Sequence, residues 1–354
     1  MLAKATVTVD LAKVTGNTHR VVEALGGRGV YGVTKVTCGS PEVARAMLAG
    51  GAAGIADSRL ENVERMREAG VDAEFWSLRA PALARAEEAV RLLDVSLESE
   101  IETVRALDVA ARALGKRHRI VAMVDLGDLR EGMLPADLPA FLDAAEGLPN
   151  IEVFGIGTSL TCYGAIVPDA DNLGELVALT RSAEARLGRR LHVSGGMSSS
   201  LDALVDGILP ERIDSLRIGE SILLGVSTVT RDPILGLHTD AITVCAPVIE
   251  CLVKPSMPRG TSAQDAFGQR PVFLDSGERR RAILAMGRQD VVPEGLVPVD
   301  PRVQVLGASS DHLVLDVHDL PEPPRLGDSI AFIPNYAATL AAFTSPYVEK
   351  RFVG

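Results

Sequence analysis

The chain has 354 residues, 47% of them hydrophobic and 23% charged, with a formal net charge of −11. That length fits one large domain plus a smaller one, and the apolar content excludes a disordered or fibrous chain. The acidic balance excludes a basic nucleic-acid surface and attraction to anionic membranes. The N-terminal MLAKATVTVDL lacks an apolar signal core and no run of about 18 apolar residues could span a bilayer, so the sequence reads as a cytoplasmic protein. Cys38, Cys162, Cys245 and Cys251 form neither a disulfide framework nor a zinc-ligand ladder, and no metal site is expected.

From about residue 10 to 230, short β-branched or apolar runs alternate with stretches whose apolar residues recur at three and four positions. Strands are predicted at Val30–Lys35, Ala53–Asp57, Ala73–Leu78, Leu93–Leu97, Arg119–Asp125, Ile151–Gly157, Leu191–Ser194 and Ser215–Ile218. Between them, SPEVARAMLAGG, SRLENVERMREAG and SEIETVRALDVAARALGK each open at a serine cap and run out at a glycine. Eight such units predict an α/β fold, a (β/α)8 TIM barrel, with function at the C-terminal ends of the strands. A doubly wound sheet is the plainer rival. Beyond about residue 235 helical periodicity vanishes and the runs AITVCAPVIECLV, RRAILAM, RVQVLG, HLVLDV and SIAFI predict a C-terminal β domain. The division is placed at 1–232 for the barrel and 233–354 for the β domain, with the first strand open to either.

Three places on that scaffold can carry chemistry. Lys35 ends the first barrel strand, where lost hydration favours the neutral amine that forms imines; a lysine snorkelling to the rim is the alternative. HVSGGMSSSLDAL carries a strand through a Gly- and Ser-rich turn into a helix, so Ser198 and Ser199 with backbone N–H groups can hold a phosphate, although an ordinary capped loop has the same look. DSLRIGESILLG places Arg217 before a turn whose Gly219 and Glu220 main chain can meet the same phosphate, while Arg217 alone could salt-bridge across the barrel.

The order of these three features resembles the alanine racemase superfamily of pyridoxal-5′-phosphate (PLP) enzymes. The likeness runs through nearly the whole chain and is strongest to the ornithine racemase branch, on GVTKVTCGSPEVA, IADSRLENV, GTSLTCYG, VSGGMSSSL, KPSMPRG, DAFG, LGASSDHLVLD and TSPYV. It implies a PLP-dependent isomerase that racemises a free amino acid through a Schiff base on Lys35, by two-base proton transfer at Cα. It further implies that Ser194, Ser198, Ser199, Gly219 and Glu220 line the cofactor, and that Arg217 faces the pyridine nitrogen and limits how far the ring acts as an electron sink. Within VDLGDLREG, Arg130 matches the arginine that holds the substrate carboxylate. Cys162 stands where alanine racemases pack a histidine on the cofactor ring; a small buried thiol filling a gap is the alternative.

Two departures from the pattern bear on mechanism. Where alanine racemases carry a catalytic tyrosine in an SYG turn this chain reads AFG, and Phe267 cannot transfer a proton. The second base is therefore Tyr336 in PNYAATL, favoured because PNY resembles a P-x-H segment of related enzymes, or else Asp265 or His312; a core tyrosine is the plain alternative. Met123 stands where alanine racemases often carry a lysine, so Arg130 is supported differently.

A non-catalytic PLP carrier, a lyase of the D-threonine aldolase or D-serine dehydratase type, and a PLP decarboxylase are the rivals. Carriers stop after the barrel, those lyases use a histidine where Tyr336 stands, and no Cys-Asp pair of the decarboxylase kind appears in the β domain. Ornithine, lysine and alanine stay open as substrates, although Asp265 and Asp311, beside Ser310 and His312, could pair with a distal ammonium. The resemblance also implies a two-fold homodimer.

Overall fold

The computed structural model describes residues 3–268 and 270–354, and it divides into two compact units. One is Leu11–Thr239; the other joins the N-terminal residues through Asp10 to Asp240–Gly354. The barrel unit thus runs seven residues past the division at 232, and the first strand of the chain folds with the β unit.

The strands in chain order are β1 (Thr6–Asp10), β2 (Gly29–Val33), β3 (Gly54–Asp57), β4 (Phe75–Ser77), β5 (Val95–Glu98), β6 (His118–Met123), β7 (Ile151–Gly157), β8 (His192–Met197) and β9 (Ser215–Ile218), followed by β10 (Ile242–Pro255), β11 (Glu278–Leu284), β12 (Leu296–Pro298), β13 (Gln304–Ala308), β14 (Leu313–Asp316), β15 (Ser329–Pro334) and β16 (Glu349–Val353). Strands β2 to β9 pair in parallel and in sequence, and β9 closes on β2 with Gly29 opposite Ser215 and Gly32 opposite Ile218. This is the predicted (β/α)8 barrel, and all eight predicted strands are present. Alternate residues, among them Val33, Ala56, Trp76, Leu97, Val121 and Met123, point inward and form one buried cluster, as the period of two requires.

The helices between strands begin and end for identifiable reasons. Ser40 Oγ accepts the Val43 N–H at 3.3 Å and Pro41 opens the helix Pro41–Ala49. The other two predicted serine caps are not made. Leu60–Glu68 is preceded by Arg59 and Ile101–Ala113 by Glu100, neither with a side-chain cap bond, because Ser58 and Ser99 fall one residue too early. The glycines close as expected, with Gly70 and Gly115 just beyond the helix ends.

Where β4, β8 and β9 begin, the barrel interior is polar and its groups pair with one another. The Glu74 carboxylate accepts Trp76 Nε1–H at 2.6 Å, Tyr31 O–H at 3.0 Å and the Arg119 guanidinium at 2.6 Å. Arg119 lies 5.1 Å from the centre of the Phe154 ring, which stacks on His192 at 4.9 Å. His192 Nε2 meets Ser215 Oγ at 2.7 Å, and burial pulls its pKa down to about 4, so the ring is neutral.

In the other unit, the predicted strand runs become β10, β11, β13, β14 and β15, in the sheet order β12-β15-β10-β11-β14-β13. β1 pairs antiparallel with β10 and parallel with β16, tying both ends of the chain into this sheet. A helix, Tyr336–Thr344, also stands here, capped by Asn335 Oδ1 on the Ala338 N–H at 3.0 Å. Its YAATLAAFT run is apolar nearly all round, which hid it from a reading that looked for amphipathic periodicity. Among the described residues, no helix is long and apolar enough to cross a membrane, and no cluster of His, Cys, Asp or Glu has the make-up of a metal site.

Candidate active site

At the opposite end of the barrel interior, where the strands finish, the polar groups are arranged differently. β2 stops at Val33, and Lys35 opens a single 3-10 turn, Lys35–Thr37, rather than ending the strand as predicted. That turn is pinned from β3. Thr34 Oγ1 donates to Asp57 Oδ2 at 2.8 Å, while Asp57 Oδ1 accepts the Arg59 N–H at 3.0 Å and Asn62 Nδ2–H at 2.9 Å. Burial pushes the Asp57 carboxyl up, and those hydrogen bonds pull against it. Lys35 is half-buried on this fixed turn.

Strand β8 ends at Met197, and Ser198 and Ser199 follow it, both buried. Ser198 Oγ accepts N–H groups from Gly219 at 3.3 Å and Ser221 at 3.4 Å, so the turns after β8 and β9 are tied together. Ser199 Oγ is buried with no hydrogen-bond partner among the described residues. A Cβ on Gly219 would stand 2.7 Å from Val33 Cβ, so only glycine lets this turn close on β2. The helices that follow, Ser200–Val205 and Glu220–Leu224, are too short to contribute much dipole, so hydroxyls and amides are the groups that could meet an anion here.

Arg217, third residue of β9, is 2% exposed. It donates to Ser194 Oγ, to the Thr158 carbonyl at 2.7 Å and to Ser159 Oγ at 3.2 Å, and it forms no salt bridge among the described residues. The salt bridge across the barrel, the alternative weighed for it, is absent among those residues. Burial pulls its pKa down to about 10, so it stays a cation at neutral pH. Glu220 pairs with Arg231; burial raises its pKa, while Arg231 and Lys35 draw it back.

The loops after β6 and β7 complete this end. Arg130 is engaged by its neighbour Glu131. Cys162 is open to solvent, with Sγ 3.3 Å from Met197 Sδ; enough chain surrounds the sulfur to push the thiol pKa up, while the positive charges of Arg130 and Lys35 pull it down. The unit therefore brings Lys35, Arg130, Cys162, Ser194, Ser198, Ser199, Arg217, Gly219 and Glu220 to one end of the barrel. Asp128, Thr158, Ser159 and Ser221 join them without having been singled out. GTSLTCYG had marked the segment of Thr158 and Ser159, but nothing local shows that their carbonyl and hydroxyl receive an arginine 59 and 58 residues away.

The remaining predicted residues belong to the other unit. Asp265 caps its own turn by accepting the Phe267 N–H at 2.9 Å. Ser310, Asp311 and His312 form the turn from β13 to β14, where Asp311 Oδ1 accepts Gln289 Nε2–H at 2.7 Å and Ser309 Oγ accepts the His312 N–H at 3.2 Å. Tyr336 is the half-buried first residue of its helix.

Residues 9–227 match the model of the alanine racemase N-terminal domain. The chain is 39% identical to an ornithine racemase of Acetoanaerobium sticklandii, over 98% of this chain and 99% of that protein. The chain belongs to the alanine racemase family. A lysine racemase of Thermotoga maritima is 38% identical over 97% of this family member and 96% of its own length. The fold is shared with the alanine racemase of Bartonella henselae, solved with covalently bound pyridoxal phosphate, at a TM-score of 0.75 and 15% identity, covering 99% and 100% of the two chains.

Proposed function

We infer that this chain is a PLP-dependent amino-acid racemase whose substrate is a basic amino acid, ornithine or lysine. The observation that carries this reading is the near-full-length identity, through both units, to an ornithine racemase and a lysine racemase. It speaks against a carrier confined to a barrel. The residues at the barrel mouth fit the cofactor: a lysine on a fixed turn, a buried serine hydroxyl without a partner, and a buried arginine with no carboxylate paired to it. When bound, the cofactor supplies an electron sink that makes the substrate Cα–H acidic.

In this reading Lys35 Nζ holds the cofactor covalently and moves the proton on one face of Cα. Ser198, Ser199 and the amides near Gly219 and Glu220 hold the phosphate, with Ser194 supporting from β8. Arg217 faces the pyridine nitrogen; a guanidinium that keeps its proton leaves that nitrogen unprotonated, which restrains the sink and suppresses transamination. Arg130 exchanges Glu131 for the substrate carboxylate, and Cys162 sits beside the ring. Tyr336 is our choice for the proton on the opposite face, ahead of Asp265 and His312, and Asp311 with Ser310 is available to a distal ammonium. The same reading carries a homodimer.

The test is a panel of L- and D-ornithine, lysine and alanine incubated with the PLP-loaded protein, with enantiomer ratios followed to equilibrium. Ornithine or lysine should reach a 1:1 ratio at least tenfold faster than alanine. Faster turnover of alanine, or loss of substrate without inversion, would refute the substrate class or the reaction.

A further inference from the structure

The loops after β6 and β7 are held together by one carboxylate. Asp128 is 1% exposed, and its two oxygens accept main-chain N–H groups from Cys162 at 3.2 Å, Tyr163 at 2.9 Å and Ile166 at 3.4 Å. Its own carbonyl accepts the Gly164 N–H at 2.9 Å, and a Cβ on Gly164 would lie 2.8 Å from that carbonyl oxygen. No lysine or arginine forms a salt bridge to Asp128 among the described residues, so amides of a loop more than 30 residues away are what stabilise the buried charge.

Those amides converge because the backbone is bent against its preference. Thr161 and Ala165 have φ of 63° and 55°, and Leu129, beside Asp128, has 56°. Non-glycine residues hold left-handed conformations when surrounding bonds over-determine them, and here the bonds are those to Asp128. Asp125 prepares the near side by accepting the Gly127 and Leu129 N–H groups at 2.9 and 3.2 Å. Two groups of the candidate site ride on the clasped loops: Cys162, whose own N–H is in the clasp, and Arg130, two residues past Asp128.

We propose that Asp128 is a positioning residue of the racemase site, clasping the 161–166 loop to the 125–133 loop and so fixing Cys162 and Arg130 at the barrel mouth. The inference rests on the racemase reading above. An asparagine at 128 keeps the size but offers one oxygen and an amide donor to a nest made only of donors, so the clasp opens. Freed of it, Cys162 reacts faster and Arg130 loses its fixed approach to a substrate carboxylate.

The experiment measures iodoacetamide labelling of the Cys162 peptide by mass spectrometry, together with kcat and KM, in the PLP-loaded wild type and in Asp128→Asn. Gly164→Ala, which presses on the same clasp from the other loop, serves if Asp128→Asn does not fold. The expected result is labelling about tenfold faster and KM raised about tenfold, with kcat falling less, at a thermal midpoint that shows a folded barrel. Unchanged labelling in both variants overturns the clasp; faster labelling with unchanged KM overturns its role in positioning. A wild type that racemises no amino acid defeats the functional reading instead, and the clasp is then decided by labelling alone.

Discussion

Where β4, β8 and β9 begin, Glu74 takes three donors, Arg119 has both a carboxylate and a ring, and His192 has a hydroxyl and a stacking partner. Where the strands finish, Ser199 has no partner and Arg217 has three recorded acceptors for five N–H donors. Both sets are polar groups inside one barrel, and both carry a desolvation cost. The first recovers that cost from its partners and, at the 29% exposed Arg119, from water, so its polar groups stabilise the fold. The second leaves part of it unrecovered, which is the condition for binding a ligand that supplies the missing partners. The difference separates stability from function by position along the same strands.

The comparison is broken most directly at Lys35. Lys35→Ala removes the group assigned to hold the cofactor and move the proton, so racemisation should fall about 10⁴-fold. With no cofactor on either protein, the half-buried place of Lys35 makes the stability change small, within about 0.5 kcal/mol. Racemisation of the PLP-loaded proteins and thermal unfolding of the cofactor-free proteins check the two halves. A variant that still racemises, or one that unfolds, would refute the separation.

The eight barrel strands were legible because each is a short apolar run set off by a helix of different period, and parallel strands buried on both faces leave that trace. The β unit was half legible. β10 and β14 show in their branched residues, whereas the pairing of β1 with β10 and β16 joins segments more than 230 residues apart and leaves no local mark. In the site, Lys35, Ser198 and Arg217 could be found because each stands next to a strand end. Asp128 could not: VDLGDLREG shows an acidic residue in a turn, and its role comes from amides contributed by the next loop. The helix Tyr336–Thr344 was missed for the opposite reason, having too many apolar residues to show a face.

A smaller effect is expected on the outer face of the barrel wall. Glu98, last residue of β5, alternates with the inward Val95 and Leu97 and so faces the helical layer. It is fully buried and both oxygens lack a hydrogen-bond partner among the described residues; Ser96, whose hydroxyl meets His118 Nε2 at 3.0 Å, offsets only a little of the desolvation. Burial lifts the carboxyl from 4.5 to about 8, so it is protonated at neutral pH. A folded-state pKa above the unfolded one means that the contribution is fully present below pH 4.5 and is lost as pH rises through about 8. The loss over that window is on the order of 5 kcal/mol. Glu98→Gln keeps the shape and removes the titration, so urea unfolding should show the variant gaining on the wild type between pH 5 and 9. Parallel stability curves would refute the buried proton.

The smallest effect, and the sharpest control for the comparison, is at Glu74. In Glu74→Gln one amide oxygen replaces two carboxylate oxygens, so the amide nitrogen must face a donor, either Arg119 or the pair Trp76 and Tyr31. One hydrogen bond is lost, and Arg119 is left half-buried without its counter-ion. Both side chains of the Arg119–Glu74 pair are 29% exposed, so water recovers part of that loss and the cost should be about 1–2 kcal/mol rather than that of a dry ion pair. The Tyr31 hydroxyl, whose pKa is pushed up by burial and then by the Glu74 charge, should ionise at lower pH in the variant. Ultraviolet titration of Tyr31 and the urea midpoint read these two changes. The kcat and KM for the racemised amino acid should stay within about twofold of wild type, because Glu74 lies at the end of the barrel opposite the candidate site. A stability loss without an activity loss here, set against an activity loss without a stability loss at Lys35, is the pattern that two differently saturated ends require.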